Sequence, residues 1–215
     1  MSKKPEALLL VATGCAHCPA MIEHLTRLLK QGQLSRLEIV NIAEHQELAV
    51  ELGVRSVPWF RVNDYDFQGV MPFDELSDWV EQLSTGGGQD GYLTHLLEQH
   101  QMVEAVERIK EKPSLLSELV AVLGDLDAPM GVRIGIGAII EELAEKPIIS
   151  HAIDPLMQLT LSNEPQVRAD ACHYLGICGD STAIPAIQAL MDDDDPEVRE
   201  IAAESIAMLH GEAEE

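Results

Sequence analysis

Cys15 and Cys18 sit two residues apart in "VATGCAHCPAMIEHL" (11–25), with His17 between them. Thiols at this spacing can exchange a disulfide with another protein or hold a metal ion; a lone cysteine after an apolar run can also carry an acyl chain. A helical pattern begins at once after Gly14. That puts Cys15 where a helix presents unpaired N–H groups and the positive end of its dipole. Both favour the thiolate, the attacking species, and pull its pKa below the ~8.5 of a free cysteine. Cys18, one turn on, can attack a mixed disulfide formed at Cys15 and release the partner. His17, whenever protonated, adds positive charge beside the thiolate and makes the disulfide more oxidising. Pro19 fits the first turn, where a missing N–H costs least. The pattern assigns Cys15 as nucleophile, Cys18 as resolving thiol and His17 as the group that tunes them.

The elements needed to hold this pair are legible around it. "ALLLVA" (7–12) is a fully apolar run that suits a central strand. Met21, Ile22, Leu25, Leu28 and Leu29 recur at helical spacing over 16–29, and Gly32 closes that helix. "LEIVNI" (37–42) reads as a strand and "AEHQELAVELG" (43–53) as a helix with a C-terminal glycine. "VPWFRV" (57–62), "ND" and "YDFQGV" (65–70) read as a hairpin, and "PFDELSDWVEQL" (72–83) as a helix with Pro72 at its start. The order βαβαββα is that of an open α/β sheet with helices on both faces. "STGGGQDG" (84–91) has neither period and reads as a flexible connector. The expected domains are α/β at 1–84, a Gly-rich linker at 85–91, and all-α at 92–215.

At "GVRSVPWF" (53–60) the chain resembles thioredoxin-fold proteins, which place a Val-Pro or Ile-Pro step some forty residues after a CxxC. "GCAHCP" is also similar to the N-terminal thioredoxin-like module of the alkyl hydroperoxide reductase flavoprotein subunit. In the thioredoxin family the proline is cis, lies against the cysteines and keeps metals from them. The residue before it pairs with an extended substrate segment. The resemblance therefore implies Pro58 as the cis-proline and Val57 as the substrate-pairing residue, with Gly14 and Trp59 bordering the site. Trp59 either narrows a substrate groove or covers the sheet edge. No cofactor is implied beyond a redox-active Cys15–Cys18 disulfide. The chain departs from thioredoxins proper in four places. Gly14 replaces a tryptophan, Ala16-His17 replaces Gly-Pro, Leu9 stands where a buried aspartate serves the second thiol, and Ile39 replaces the accompanying lysine.

Beyond the connector only helical patterns occur, broken at Pro113, Pro129, Pro147, Pro165, Ser181 and Pro196. "APMGVRIGIGAIIEELA", "NEPQVRADACHYLGIC" and "DDPEVREIAAESIAML" share a proline, then Val-Arg, then an apolar helix. Val132, Val167 and Val198 are 35 and 31 residues apart, the period of helical-pair solenoids. Each valine anchors a helix start, while each arginine can reach acids of the adjacent unit, such as those in "DDDD" (192–195). This half resembles HEAT repeats, three and a half units with seven helices. An armadillo-type solenoid stays open. Gly131, Gly135 and Gly137 in one helix mark close approach of a neighbour, and Cys172 and Cys178 read as core.

The net charge of −23 is uneven: 7 Lys/Arg against 12 Asp/Glu over 1–84, but 7 against 25 over 85–215. Such a surface repels phosphate backbones and favours basic protein partners over nucleic acid. The apolar run before Cys15 is shorter than a signal sequence or a spanning helix needs, so a cytoplasmic location is expected. Together these features point to a thiol–disulfide oxidoreductase of the thioredoxin fold. Its repeats would hold a protein client, and a cellular thiol reductant would recharge it. A non-enzymatic scaffold or assembly factor, with a redox-switch or vestigial CxxC, is the alternative of a different class. A Cu(I) carrier is the third: "CAHC" resembles the GMTCxxC copper site, yet Thr13 stands where that site has methionine. Zinc on Cys15, Cys18 and His17 fails because adjacent positions cannot form a tetrahedral set.

Overall fold

A computed structural model describes residues 4–85 and 88–210. The chain divides into two units, Met1–Gly88 and Gln89–Glu215.

The first unit contains β1 (Glu6–Val11), α1 (Cys18–Lys30), β2 (Arg36–Asn41), α2 (Gln46–Glu51), β3 (Trp59–Val62), β4 (Tyr65–Gln68) and α3 (Phe73–Ser84). The strands form one sheet in the order β2-β1-β3-β4. The apolar strand β1 is central, parallel to β2 and antiparallel to β3, with Leu9 opposite both Ile39 and Phe60. Leu9 and Leu10 are fully buried, as a run apolar on both faces requires. The turn at 63–64 closes the β3–β4 hairpin, which pairs Phe60 with Phe67.

α1 packs on β1, β2 and α3. Its Met21, Leu25 and Leu28, with Leu76 and Val80 of α3, form a core against Leu9, Phe60 and Phe67. Phe67 stacks on Phe60 at 5.1 Å between centroids and meets Trp79 of α3 edge-on at 5.4 Å. The two long helices therefore share one face of the sheet. α2 has six residues and buries none of them. It starts later than its sequence pattern because the Asn41 side chain accepts the Ala43 N–H at 3.0 Å and holds the chain in a turn. α1 and α2 end as expected in left-handed glycines, Gly32 and Gly53. In each, the next residue's N–H returns to a carbonyl five back, Gln33 to Leu28 and Val54 to Ala49.

The second unit is helical throughout its described residues: α4 (Gln89–Glu98), α5 (Met102–Glu111), α6 (Ser114–Ala121), α7 (Met130–Leu143), α8 (Ser150–Leu159), α9 (Pro165–Cys178), α10 (Ile184–Leu190) and α11 (Pro196–His210). Helix thus begins inside the connector expected over 85–91, of which residues 86–87 lie outside the described residues. There are eight α-helices here rather than seven. The extra break falls at His100, left-handed at φ 57°. The Gln101 N–H then reaches Leu96 O at 2.8 Å, a helix stop built without glycine or proline.

Val132, Val167 and Val198 are all fully buried. Arg133 donates to Asp170 of α9 at 2.6 Å, and Arg168 grips both oxygens of Asp193 at 2.7 Å. Those are the links to adjacent units, "DDDD" included, that the Val-Arg pattern foretold. A Cβ on Gly135 would lie 2.9 Å from Leu97 of α4, and one on Gly137 would lie 2.3 Å from the Tyr174 hydroxyl of α9. Both are close approaches. Gly131 has open space around it, so close packing does not explain that glycine. No helix among the described residues is long and apolar enough to cross a membrane.

Candidate active site

The chain leaves β1 at Val11 and turns through Ala12, Thr13 and Gly14. Cys15 N–H returns to Ala12 O at 3.2 Å, and Gly14 takes φ +80°, a conformation that side-chain-bearing residues rarely adopt. Asn41, at the end of β2, donates to Thr13 Oγ1 at 3.2 Å and ties this turn to the sheet. β1 and β2 thus fix where the cysteines stand.

Cys15 and Cys18 are joined as a disulfide, with Cα atoms 5.5 Å apart. Cys15 is half-buried, whereas Cys18 is only 3 % exposed, so a partner can approach the first sulfur and not the second. The helix begins at Cys18, three residues later than Cys15, because 15–17 form the bend that spans the disulfide. The N-terminal end of α1 still faces Cys15 despite that shift. Cys18 N–H, an unpaired donor of the first turn, points at Cys15 Sγ at 3.1 Å. Pro19 follows at the start of α1. His17 occupies the N-cap position, exposed, and its imidazole makes no capping bond.

Across from the pair lies the loop entering β3. Val57–Pro58 is a cis peptide bond, and Val57 O is 3.8 Å from Cys15 Sγ. Pro58 is buried, and its carbonyl accepts Gly69 N–H at 2.8 Å, anchoring the loop to the end of β4. Gln68 donates to Ser56 one residue before Val57. Val57 is half-buried and Gly14 exposed, so both border accessible space beside Cys15. Trp59 is different. It lies on β3 opposite Leu10 and Gln68, is 6 % exposed, and has the Arg61 guanidinium 5.2 Å above its ring. Arg61 is itself held by both oxygens of Asp66. Trp59 is a covered residue of an inner strand, which leaves little of it for a substrate to touch.

Behind the disulfide, Leu9 is fully buried between Ile39 and Phe60 in the register, so no carboxylate occupies that position. Among the described residues no three His, Cys, Asp or Glu come together as a metal-ligand set. Cys172 and Cys178 lie buried in α9 as free thiols. Burial pushes both thiols up, Cys178 to about 12 with help from nearby Asp180, so neither is a nucleophile near neutral pH. The sequence reading missed the Thr13–Asn41 tie and the Gly69–Pro58 anchor. The only trace of the first was a polar pair at the ends of two apolar runs. The second, a backbone contact, left none.

Comparison with protein-family models matches residues 7–81 to the thioredoxin domain and residues 116–207 to HEAT repeats. The first match spans the sheet and the cysteine pair. The second begins within α6, so α4 and α5 precede it, although both pack on α6 and α7. No curated protein matches the chain.

Proposed function

From a chain that joins a thioredoxin domain to HEAT repeats, we propose a thiol–disulfide exchange protein whose client is held by the repeats. The observation that carries this reading is the asymmetry of the pair. Cys15 Sγ is approachable, with the Cys18 N–H at 3.1 Å and the Val57 carbonyl at 3.8 Å, while Cys18 is enclosed. In the reduced protein the Cys15 thiolate attacks one sulfur of a client disulfide and displaces the other as a thiolate. The thiolate of Cys18 then attacks Cys15 Sγ. The client leaves as a dithiol, and the pair closes to the disulfide seen here. Two electrons pass from the pair to the client, and a dithiol or glutathione-type reductant restores them. Run in reverse, the same steps oxidise a client dithiol. Val57 and Gly14 border the site where the client's extended segment would lie, and His17, whenever protonated, adds positive charge beside it. The working compartment in this reading is the reducing cytoplasm, where an accessible Cys15 lets the pair cycle rather than stay closed.

A Cys18→Ser chain should strand the client on Cys15 as a mixed disulfide, and Cys15→Ser should abolish both capture and disulfide reduction. Reduction that survives Cys15→Ser removes this assignment. One observation favours a second reading, a redox switch without turnover. A buried leucine, Leu9, stands where thioredoxins carry the aspartate that takes the proton of the second thiol, and without that group the resolving step is slow. Single-turnover kinetics decide between the two: a mixed disulfide that forms fast and resolves only over hours identifies the switch.

A further inference from the structure

The arginines of the repeats also fix what the neighbouring loops display. Three loops, 125–129, 160–164 and 191–195, lead into α7, α9 and α11, and each holds one apolar side chain out to solvent. Leu126 is 41 % exposed, Leu161 77 % and Met191 44 %. They precede the buried valines Val132, Val167 and Val198 by six, six and seven residues. One exposed leucine on a surface needs no explanation. An exposed apolar residue six or seven positions ahead of the buried valine in three successive repeats makes a row.

The row is rigid. Arg133 Nη1 donates to the carbonyls of Leu123 and Asp125, Arg168 Nη1 to those of Ser162 and Asn163, and Arg199 Nη1 to those of Asp193 and Asp194. Because Arg168 also grips Asp193, and Arg133 also grips Asp170 early in α9, successive loops lie along one edge of the stack. Between the apolar side chains stand Asp125, Asp127, Glu164, Asp192, Asp194 and Asp195, and these loops contain no Lys or Arg. The loops 144–149 and 179–183, which join α7 to α8 and α9 to α10, mix Glu145 and Asp180 with Lys146 and hold no exposed large apolar residue.

We propose that this edge is the docking surface for a client segment in which basic and apolar side chains alternate. The apolar ones meet Leu126, Leu161 and Met191, and the basic ones meet the carboxylates between them. The inference rests on the reading that the repeats hold a client. Charge decides the occupant: a second copy would set acid against acid, whereas a basic segment is attracted over the whole edge. The apolar row then fixes register, which charge alone does not.

The test uses the full chain and two labelled probe peptides, one alternating lysine with leucine and one alternating glutamate with leucine, read by fluorescence anisotropy at physiological ionic strength. The lysine peptide should bind and the glutamate peptide should not. Leu161→Ser with Met191→Ser should weaken binding roughly tenfold, about 1.4 kcal/mol. Asp192→Asn with Asp194→Asn should weaken it similarly, and both double variants should keep the wild-type circular dichroism because all four side chains are exposed. Equal binding of the two peptides overturns the proposal. So does an affinity indifferent to the two serines, which marks unspecific attraction by charge. A dimer that the serine pair dissociates also overturns it, because a second copy then covers the edge. Capture on the Cys18→Ser chain separates the two readings. Client capture that survives the serine pair removes the docking edge and leaves the redox reading standing. Peptide binding without any client captured does the reverse.

Discussion

At the scale of single residues, three sulfur environments on one chain predict three reactivities. Cys15 is approachable and faces a helix N–H, Cys18 is enclosed, and Cys172 and Cys178 are buried with raised thiol pKa values; reduction frees the first two thiols. Brief iodoacetamide treatment at neutral pH should therefore label Cys15, leave Cys172 and Cys178 untouched, and show by mass spectrometry a single dominant adduct. Cys178 makes a second prediction through linkage. Its thiol rises from 9.0 to about 12 on folding, so the folded chain holds that proton longer than the unfolded chain does. Its contribution to stability is intact below pH 9 and falls as pH climbs from there toward 12, by up to about 1.4 kcal/mol per pH unit. Cys178→Ala should flatten the alkaline fall of the melting temperature relative to wild type, which thermal melts between pH 8 and 11 would read. The cysteine pair itself was plain in the sequence, since its spacing and the following helical period are both local. The enclosure of Cys18 was not, because it depends on what α1 and the sheet bring against it.

At the scale of elements, the repeats are held by contacts with narrow tolerances. A Cβ at Gly137 would overlap the Tyr174 hydroxyl, and the ring carbons behind it at 3.0–3.2 Å allow little retreat. Gly137→Ala should cost about 2 kcal/mol in urea unfolding, the usual penalty of overpacking. Adding Tyr174→Phe should recover part of it, since the nearest atom is then gone. Arg168→Ala breaks a mostly enclosed pair with Asp193 and frees two loop carbonyls. Its expected cost is about 3 kcal/mol by the same measurement. The period of 35 and 31 residues made these arginines visible beforehand. The split between α4 and α5 was invisible because His100 adopts a left-handed turn that glycine usually marks. α2 came out shorter than its pattern because Asn41 competes for the backbone of its first turn.

At the scale of the whole molecule, the chain pairs a thioredoxin domain with HEAT repeats, and the division falls between Gly88 and Gln89. Each unit has its own core: Leu9, Phe60 and Met21 in the first, Val132, Leu116 and Val167 in the second. Residues 1–88 expressed alone should keep the circular dichroism of a mixed sheet and the same Cys15 alkylation rate as the full chain. A slower rate or an unfolded spectrum would show that the first unit depends on the repeats.

The thiol pair, the central apolar strand, the helix-closing glycines and the Val-Arg period were all legible in the chain's order of residues, because each is a pattern within a few residues or a fixed repeat. Folding alone settled that both long helices of the first unit share a face, that Trp59 lies covered beneath Arg61, and that Cys15 stands against the Val57 carbonyl while Cys18 is shut away. Those facts come from surfaces meeting across forty residues of chain, and burial and facing are properties of such meetings, which composition and spacing do not encode.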